Sequence, residues 1–166
     1  MFQETTMREL QVSPVKMIAE DWALLTAGEA SAFNTMTVSW GGVGELWGKD
    51  VAFVFVRPQR YTYEFMEKSD SFTLSFFGGD YKKELGICGA KSGRDIDKCK
   101  ETGLEPLPVD GAVAFKQAKT VLVCRKAAFQ DLDPKGFLDP SIMDTYAAKD
   151  YHRMYVGVIE KVLVAE

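Results

Sequence analysis

The sequence has few of the residues that build metal sites and disulfide frameworks. It contains three cysteines, Cys88, Cys99 and Cys124, and a single histidine, His152. The odd number and the spacing of the cysteines match no zinc motif, and one histidine cannot complete a Cys/His cluster. We therefore expect no metal site and reduced, structural cysteines. Cys99, which lies between two lysines, is the better candidate for a reactive thiol, since Cys88 has no basic neighbour along the chain.

Long hydrophobic runs and basic runs are also absent. The longest wholly apolar stretch, residues 51–56, is far shorter than the roughly 20 residues of a membrane-spanning helix. Residues 1–10 contain charged side chains and no apolar core, so we expect no secretory signal. The net charge is −4, from 20 Lys and Arg against 24 Asp and Glu, and no basic face for nucleic acid is evident. We expect a cytoplasmic protein that binds neither membrane nor nucleic acid.

The chain is long enough for one domain with a proper hydrophobic core, and we assign residues 1–166 to it. Hydrophobic residues make up 46 % and charged residues 27 %, which is typical of a soluble globular protein. Runs of β-branched and aromatic residues, some alternating with polar ones, predict six or seven strands. The predicted strands are 24–27, 33–40, 51–56, 71–77, 113–115, 120–124 or 120–132, and 154–164.

The segments between these strands predict short helices and turns. Residues 61–68 and 80–90 are predicted helices, and Ser92 is placed to cap one more short helix. The pattern predicts a mainly β fold with short helices, arranged as a small barrel with helical covers. The remaining predicted features are a turn at 41–44, a loop or edge strand at 103–110, and a long excursion at 133–150 with one helical turn at 141–145.

Two polar segments indicate a site for a phosphate and a flat ring. Residues 34–42 place hydroxyl groups, an amide and an indole on one predicted strand, and residues 57–62 place two guanidinium groups at the start of a predicted helix. Arginine forks and free N–H groups at a helix start both bind phosphate oxygens. The hydroxyls and the amide suit the polar edge of a ring, and Trp40 suits its face. Alternatively, the arginines are solvated surface charges, the threonines only favour strand formation, and Trp40 belongs to the core.

Two further motifs carry less information. Gly42 and Gly44 begin a dinucleotide fingerprint, but Trp47 occupies the position of its last glycine and no helical stretch follows, so we reject a Rossmann site. His152 is either a structural residue or a residue that acts at the open face of a bound ring. One candidate base without a G-x-S-x-G elbow does not indicate a nucleophilic triad.

Four segments, in the same order, resemble the flavin reductase-like family, which includes flavoredoxin and the reductase components of two-component monooxygenases. They are residues 34–41, 57–62, 88–98 and 152–159, and the likeness runs from about residue 24 to residue 164. The resemblance implies an FMN-binding split β-barrel that forms a homodimer. The glycine-rich hairpin at 41–48 departs from the family pattern. The 133–150 excursion is longer than in the compact reductases and resembles the flavoredoxin-like branch of the family, which leaves the substrate open.

By position, the resemblance also implies which residues contact the cofactor and the substrate. Lys91 would place a positive charge near the pyrimidine edge of the flavin, and His152 would lie near the nicotinamide as the catalytic residue. The implied FMN contacts are Asn34, Thr35, Met36, Thr37, Ser39 and Trp40 from the strand, Arg57, Arg60, Tyr61 and Thr62 on the phosphate side, and Lys91 and Ser92 from the following loop.

The implied activity is hydride transfer from NAD(P)H to flavin, with onward transfer to a flavin, ferric or protein acceptor. One alternative is an FMN electron carrier that takes electrons from a redox protein partner and does not itself react with nicotinamide. The other is a dimeric barrel without enzymatic activity that binds another ligand or none. Steady-state consumption of NADH or NADPH separates the reductase from the carrier.

Overall fold

The computed structural model describes residues 1–166 and shows ten strands, eight of which share one antiparallel sheet. None of its helices is both long and apolar enough to cross a membrane. The strands are β1 (Phe2–Thr5), β2 (Ala23–Glu29), β3 (Ala32–Val38), β4 (Gly41–Leu46), β5 (Lys49–Val56), β6 (Ser71–Phe76), β7 (Pro106–Val109), β8 (Ala112–Phe115), β9 (Thr120–Asp131) and β10 (Arg153–Ala165). The helices are α1 (Tyr61–Lys68), α2 (Lys82–Ala90) and α3 (Lys98–Thr102), with a π-helical turn at Lys16–Glu20 and 3₁₀ turns at Pro134–Gly136 and Pro140–Tyr146.

The large sheet has its opening between β3 and β4. Its strand order is β3-β2-β6-β9-β10-β5-β4, with β1 paired to β10, while β7 and β8 form a separate hairpin. The two edge strands follow one another in the chain and are joined only by Ser39 and Trp40, so the sheet closes on itself except for the gap between them. The mainly β fold predicted from the sequence is confirmed. An edge strand leaves half of its backbone N–H and C=O groups without a strand partner, and those of β3 face this gap.

Strand β2 is buried on both faces because it separates two hydrophobic cores. Leu25 lies in the barrel interior with Phe72 and Tyr155, and Leu24 lies in a second core with Leu85 of α2 and Phe115 of β8. Successive side chains of a strand point to opposite faces, so neighbouring leucines serve different cores. The second core fixes α2 against the sheet beside β3, where it forms one wall of the gap.

The pairing of strand β10 with β9 is irregular near its middle. Its pairing with β9 shifts register between Val156 and Gly157. A Cβ atom at Gly157 would lie 2.5 Å from Cζ of Phe72, so a larger residue there would displace the ring. The glycine and the bulge together let β10 pair with β9, β5 and β1 along its length.

The turn predicted at 41–44 is wrong, because these glycines form edge strand β4. The hairpin expected at 41–48 is present, since β4 pairs with β5 directly after it. Gly41 pairs with Val54 of β5, and the chain turns at Trp47 and Gly48, both with positive φ. A two-residue hairpin turn of this kind requires positive φ at both central positions. Closely spaced glycines suggested a turn, yet an edge strand tolerates them because only one of its sides is paired.

The helix predicted to begin at Ser92 is also wrong. Residues 92–95 form a turn in which the Ser92 hydroxyl accepts a hydrogen bond from the Arg94 N–H at 3.1 Å. Helix α3 begins at Lys98, and its cap is Asp97, whose carboxylate accepts from the Lys100 N–H at 3.1 Å. Serine and aspartate are both good caps, so composition alone could not decide between them.

The other helix and strand boundaries differ less from those predicted. Helix α2 begins two residues after the predicted start, β9 reaches Asp131 as in the longer alternative, and 103–110 contains the edge strand β7. The expected helical turn in the excursion is the 3₁₀ turn Pro140–Tyr146. No pattern in the sequence predicted β1 or Lys16–Glu20, which are both short.

Candidate functional site

The two polar segments share one cleft along the open edge of β3. Its larger part, the basic lobe, has a volume of about 480 Å³ between residues 57–62, residues 90–94 and Lys98. Its smaller part, the aromatic lobe, has a volume of about 190 Å³ between residues 36–40, Phe55 and His152. Met36, Arg57 and Arg60 line both lobes, so the two are continuous.

All of the residues expected at the site line one lobe or the other, except Thr35. Thr35 is 2 % exposed, and its hydroxyl accepts from Thr26 and donates to the Leu25 carbonyl, so only its backbone remains for a ligand. The residues of the basic lobe are Asn34, Met36, Arg57, Arg60, Tyr61, Thr62, Lys91 and Ser92, and those added by the aromatic lobe are Thr37, Ser39, Trp40 and His152.

The basic lobe is built for an anion. Five cationic side chains and no carboxylate line it, although the whole chain has a net charge of −4. Arg57, Lys91 and Arg94 pair with the carboxylates of Asp150, Glu101 and Glu64, whereas Arg60 and Lys98 have no carboxylate partner. The two cations without a carboxylate raise the local potential and attract an oppositely charged ligand. The five cations are Arg57, Arg60, Lys91, Arg94 and Lys98.

Lys98 is a cation of this lobe that sequence reasoning missed. It is 7 % exposed, and its ammonium donates to the carbonyl oxygens of Thr35 and Cys88, both at 2.7 Å. Burial lowers the pKa of Lys98, because no carboxylate offsets the loss of hydration. A ligand anion in the lobe would supply the missing negative charge. The only sequence signal for Lys98 was its position at the end of the 88–98 segment.

The cysteines beside Lys98 are not activated by it. All three are free, and the packing of α3 against α2 brings Lys98 close to Cys88 despite its distance along the chain. Burial nevertheless raises the pKa of the Cys88 thiol to about 11 and also raises that of Cys99, so both stay protonated at neutral pH. Cys99 therefore lacks the lowered pKa of a reactive thiol.

The two arginines of the predicted phosphate site are held differently. Arg60 donates to the Gly89 carbonyl at 2.7 Å, which leaves its charge without a carboxylate. Arg57 forms an ion pair with Asp150 at 2.5 Å and donates to the Thr145 carbonyl at 3.0 Å. The charge of Arg57 is therefore partly neutralised, and Arg60 is the stronger candidate for binding an anion.

The start of α1 adds backbone donors to the same place. Arg60 is its N-cap residue and no side chain caps the helix. The Tyr63 N–H donates to the Arg60 carbonyl at 3.0 Å, which leaves the N–H groups of Tyr61 and Thr62 free to bind an anion. Asn34 donates to the Thr62 hydroxyl at 2.7 Å, and that hydroxyl has no acceptor within the protein for its own proton. Thr62 can therefore donate to a ligand at the helix start.

The 90–94 loop closes the basic lobe against β3, and Gly93 makes this closure possible. A Cβ atom at Gly93 would lie 2.0 Å from Oδ1 of Asn34 and 3.2 Å from the Tyr61 ring. Any side chain there would therefore push the loop away from the strand. Lys91 on this loop is exposed and lies 3.8 Å from Glu101, which reduces its charge toward the lobe.

The aromatic lobe surrounds His152 with rings. Trp40 lies 5.3 Å and Phe55 lies 6.4 Å from the His152 ring, centroid to centroid, and Nδ1 of His152 lies 2.7 Å from the Tyr146 hydroxyl. Burial first, and then the charge of Arg57, lower the pKa of His152 to about 4. His152 is therefore neutral at physiological pH and offers one N–H donor.

Two predicted contacts of this lobe have clear local roles. Trp40 is 54 % exposed, so the alternative that it belongs to the core is wrong. Thr37 donates its hydroxyl proton to the Leu85 carbonyl at 2.5 Å and fixes α2 against β3.

The backbone of β3 also faces the gap. Lys98 binds the Thr35 carbonyl on the open side of β3, and alternate residues of a strand direct their backbone groups to the same side. The backbone of Thr37 therefore also faces the gap.

Comparison with known proteins places the chain in a family. The family model described as flavin reductase like domain matches residues 16–166. A solved FMN-binding domain of a flavin reductase-like enzyme from Shewanella baltica OS155 has a TM-score of 0.69 and 14 % identity, over 98 % of this chain and 76 % of that one. Flavoredoxin of Desulfovibrio vulgaris (Miyazaki F) has a TM-score of 0.69 and 18 % identity, over 99 % and 78 % of the two chains.

A third solved structure agrees with these two. Flavoredoxin from Methanosarcina acetivorans has a TM-score of 0.65 and 24 % identity, over 88 % of this chain and 69 % of that one. At these identities the structures show the fold alone, and they confirm the predicted split barrel. No curated protein matches the sequence. Because the family model covers residues 16–166, the chain belongs to the flavin reductase-like family, as the four segments predicted.

Proposed function

We propose that the cleft binds FMN and that the protein is an oxidoreductase, which transfers a hydride from NAD(P)H to flavin and passes the electrons to a flavin, ferric or protein acceptor. The observation that carries the proposal is the continuity of a cationic lobe free of carboxylates with a lobe walled by aromatic rings. A phosphate ester on a flat ring matches both lobes at once. The solved neighbours include an FMN-binding domain, which agrees with this ligand.

In this proposal, the basic lobe holds the phosphate. Arg60 and the free N–H groups at the start of α1 would donate to its oxygens, together with the Thr62 hydroxyl. Lys98, buried beneath the lobe, contributes positive charge without giving up its two carbonyl partners. Because Gly93 lets the loop close on β3, the donors surround the anion on more than one side.

The aromatic lobe positions the ring and the substrate. The open backbone edge of β3 would pair with the polar edge of the ring, and Trp40 would cover apolar surface beside it. His152 stays neutral and donates one hydrogen bond, which suits the amide of a nicotinamide. The chemistry that FMN supplies when bound is acceptance of a hydride and release of electrons to an acceptor. No side chain of the cleft needs to act as an acid or a base.

The test is an anaerobic titration of the FMN-loaded protein with NADH and, separately, NADPH. The proposal predicts bleaching of the flavin absorbance and steady-state consumption of at least one nicotinamide when a flavin or ferric acceptor is present. An FMN-loaded protein that reacts with neither nicotinamide, but accepts electrons from a reduced redox protein, would instead be an electron carrier. A protein that takes up no FMN would support the barrel with another ligand or none.

A homodimer is part of the proposal. Trp40 is 54 % exposed beside the aromatic lobe, and Trp47 and Phe129 are 60 % and 56 % exposed. Of these three rings Trp40 lines the cleft, and a large exposed ring beside a shallow cleft is typical of a surface that a partner covers. A second copy would exclude water from the bound ring. Light scattering across a range of concentrations is expected to give twice the chain mass of 18.5 kDa. A monomer that still binds FMN would remove the dimer from the proposal.

A further inference from the structure

The 133–150 excursion is fixed to the cleft at its C-terminal end. Tyr146 is the only buried residue of the segment, at 4 % exposure. Its ring stacks on Phe137 at 5.8 Å and lies between two groups of the cleft, with the Arg57 guanidinium 5.1 Å and the His152 ring 5.5 Å from its centroid. A segment that is otherwise exposed therefore uses one aromatic anchor, and that anchor contacts the aromatic lobe.

Asp150 forms the second attachment. One of its carboxylate oxygens accepts from Arg57 and from Gln59, both at 2.5 Å, and the Arg57 guanidinium also donates to the Thr145 carbonyl. Arg57 lines both lobes, so Asp150 determines where the guanidinium at their junction points. The ion pair is only partly exposed, at 24 % for the Arg57 side chain and 15 % for that of Asp150, which strengthens it over a surface pair.

The Tyr146 hydroxyl also determines which nitrogen of His152 carries the proton. Its oxygen lies 2.7 Å from Nδ1, and the hydroxyl proton has no other acceptor. Burial raises the pKa of Tyr146, so this proton is retained at neutral pH. A buried O–H without an acceptor is costly, so the hydroxyl donates to Nδ1. Nδ1 is then unprotonated, and the single proton of the neutral ring is on Nε2.

We propose that Tyr146 and Asp150 are positioning residues of the cleft: Tyr146 holds His152 as an Nε2–H donor, and Asp150 holds Arg57 at the junction of the lobes. The excursion is thereby part of the substrate site rather than a surface insertion. The lobe it shapes fits a planar, uncharged ring that carries a carbonyl or amide oxygen for the Nε2–H. The tautomer of His152 stands on this geometry alone, while the effect on turnover rests on the proposed function.

The single histidine of the chain makes the tautomer directly measurable. ¹⁵N NMR of the imidazole in the FMN-free protein at neutral pH is expected to show a protonated Nε2 and an unprotonated Nδ1. In Tyr146→Phe, which keeps the ring, the preference for one tautomer should relax and the pH at which the imidazole protonates should rise. Tyr81→Phe is the matched control, because Tyr81 packs on Phe77 away from the cleft, and it should leave the spectrum unchanged.

Asp150→Asn should move the same titration in the opposite direction. The charged groups that face His152 are Arg57 from the end of β5, Arg60 from the start of α1, and Asp150 from the excursion. Removing the negative charge leaves the two guanidinium groups unopposed, so protonation of His152 should require a lower pH. This second variant keeps the inference testable if Tyr146→Phe fails to fold. An Nδ1–H tautomer in the wild type, or shifts of the same sign in both variants, would overturn the assignment.

The effect on turnover is measured separately with FMN-loaded protein. Tyr146→Phe is expected to lower kcat/KM for the nicotinamide by about tenfold, while the dissociation constant of FMN stays within about twofold of the wild type. An unchanged kcat/KM would show that the hydroxyl does not position the substrate. Absence of any reaction in the wild type would refute the proposed function, while the imidazole spectrum would still decide the tautomer.

Discussion

The substitution Arg60→Ala tests the assignment of the phosphate most sharply. Arg60 is partly buried, and its only internal partner is the Gly89 carbonyl at 2.7 Å. Truncation removes one hydrogen bond to a backbone acceptor and one unneutralised charge from the basic lobe. A hydrogen bond to a charged group contributes about 1.5–3 kcal/mol, which corresponds to roughly tenfold to 100-fold in a dissociation constant. We therefore expect FMN to bind to Arg60→Ala more weakly by that factor.

Riboflavin, which has the same ring and no phosphate, isolates the interaction. Fluorescence titrations of wild type and variant with both flavins form a thermodynamic cycle, and the loss should appear for FMN and not for riboflavin. Salt should weaken the binding of FMN to the wild type more than its binding to the variant. Circular dichroism checks that the fold is intact.

Arg125→Ala is the matched control, because it removes the same charge from the outside of the barrel. Arg125 is 49 % exposed and pairs with Glu160 on the neighbouring strand, so its loss should leave flavin affinity almost unchanged. The reasoning would be refuted if Arg60→Ala bound FMN as tightly as Arg125→Ala does. An equal loss of affinity for riboflavin and FMN would also refute it, since the arginine would then act on the ring or on the fold.

Two further predictions concern the loop and the histidine. Gly93→Ala should weaken FMN binding by at least tenfold, because its Cβ atom would lie 2.0 Å from the Asn34 side chain. The control Gly86→Ala has open space around its Cβ atom in α2, so it should bind FMN normally and unfold at a higher temperature. Isothermal titration measures the binding of FMN, and thermal unfolding measures the stability. The lowered pKa of His152 means that unfolding takes up a proton as pH falls from 6.5 towards about 4. The free energy of unfolding of the wild type, measured by urea titration, should therefore fall by roughly 2 kcal/mol between pH 7 and pH 5. His152→Phe should lose that part of the pH dependence. Equal pH dependence in both proteins would contradict the burial of a neutral ring.

Local patterns in the sequence were enough to locate the two main walls of the cleft. The hydroxyl-rich segment around Thr37 and the arginine-rich start of α1 are both short and contiguous, and strand and helix signals place them on definite elements. They also follow one another closely in the chain. Their position in one cleft could be predicted because they are close in the chain, and because four segments resembled a family in the same order.

The remaining walls could not be predicted because they arise from distant contacts. Asp150 is 93 residues from Arg57 along the chain, and nothing in its local sequence marks it as an ion-pair partner. Lys98 enters the cleft only because α3 packs behind α2, and its burial depends on that packing. Tyr146 lies in a proline-containing excursion, directly after the helical turn predicted at 141–145, and nothing in that pattern marks it as buried. Its role depends on the ring of His152 beside it.

A crystal structure of the protein grown or soaked with FMN would locate the ligand directly. We expect the phosphate in the basic lobe, within hydrogen-bond distance of Arg60 and the start of α1, and the ring along β3 towards Trp40 and His152. Density for FMN elsewhere on the barrel, or an empty cleft at saturating FMN, would contradict this expectation.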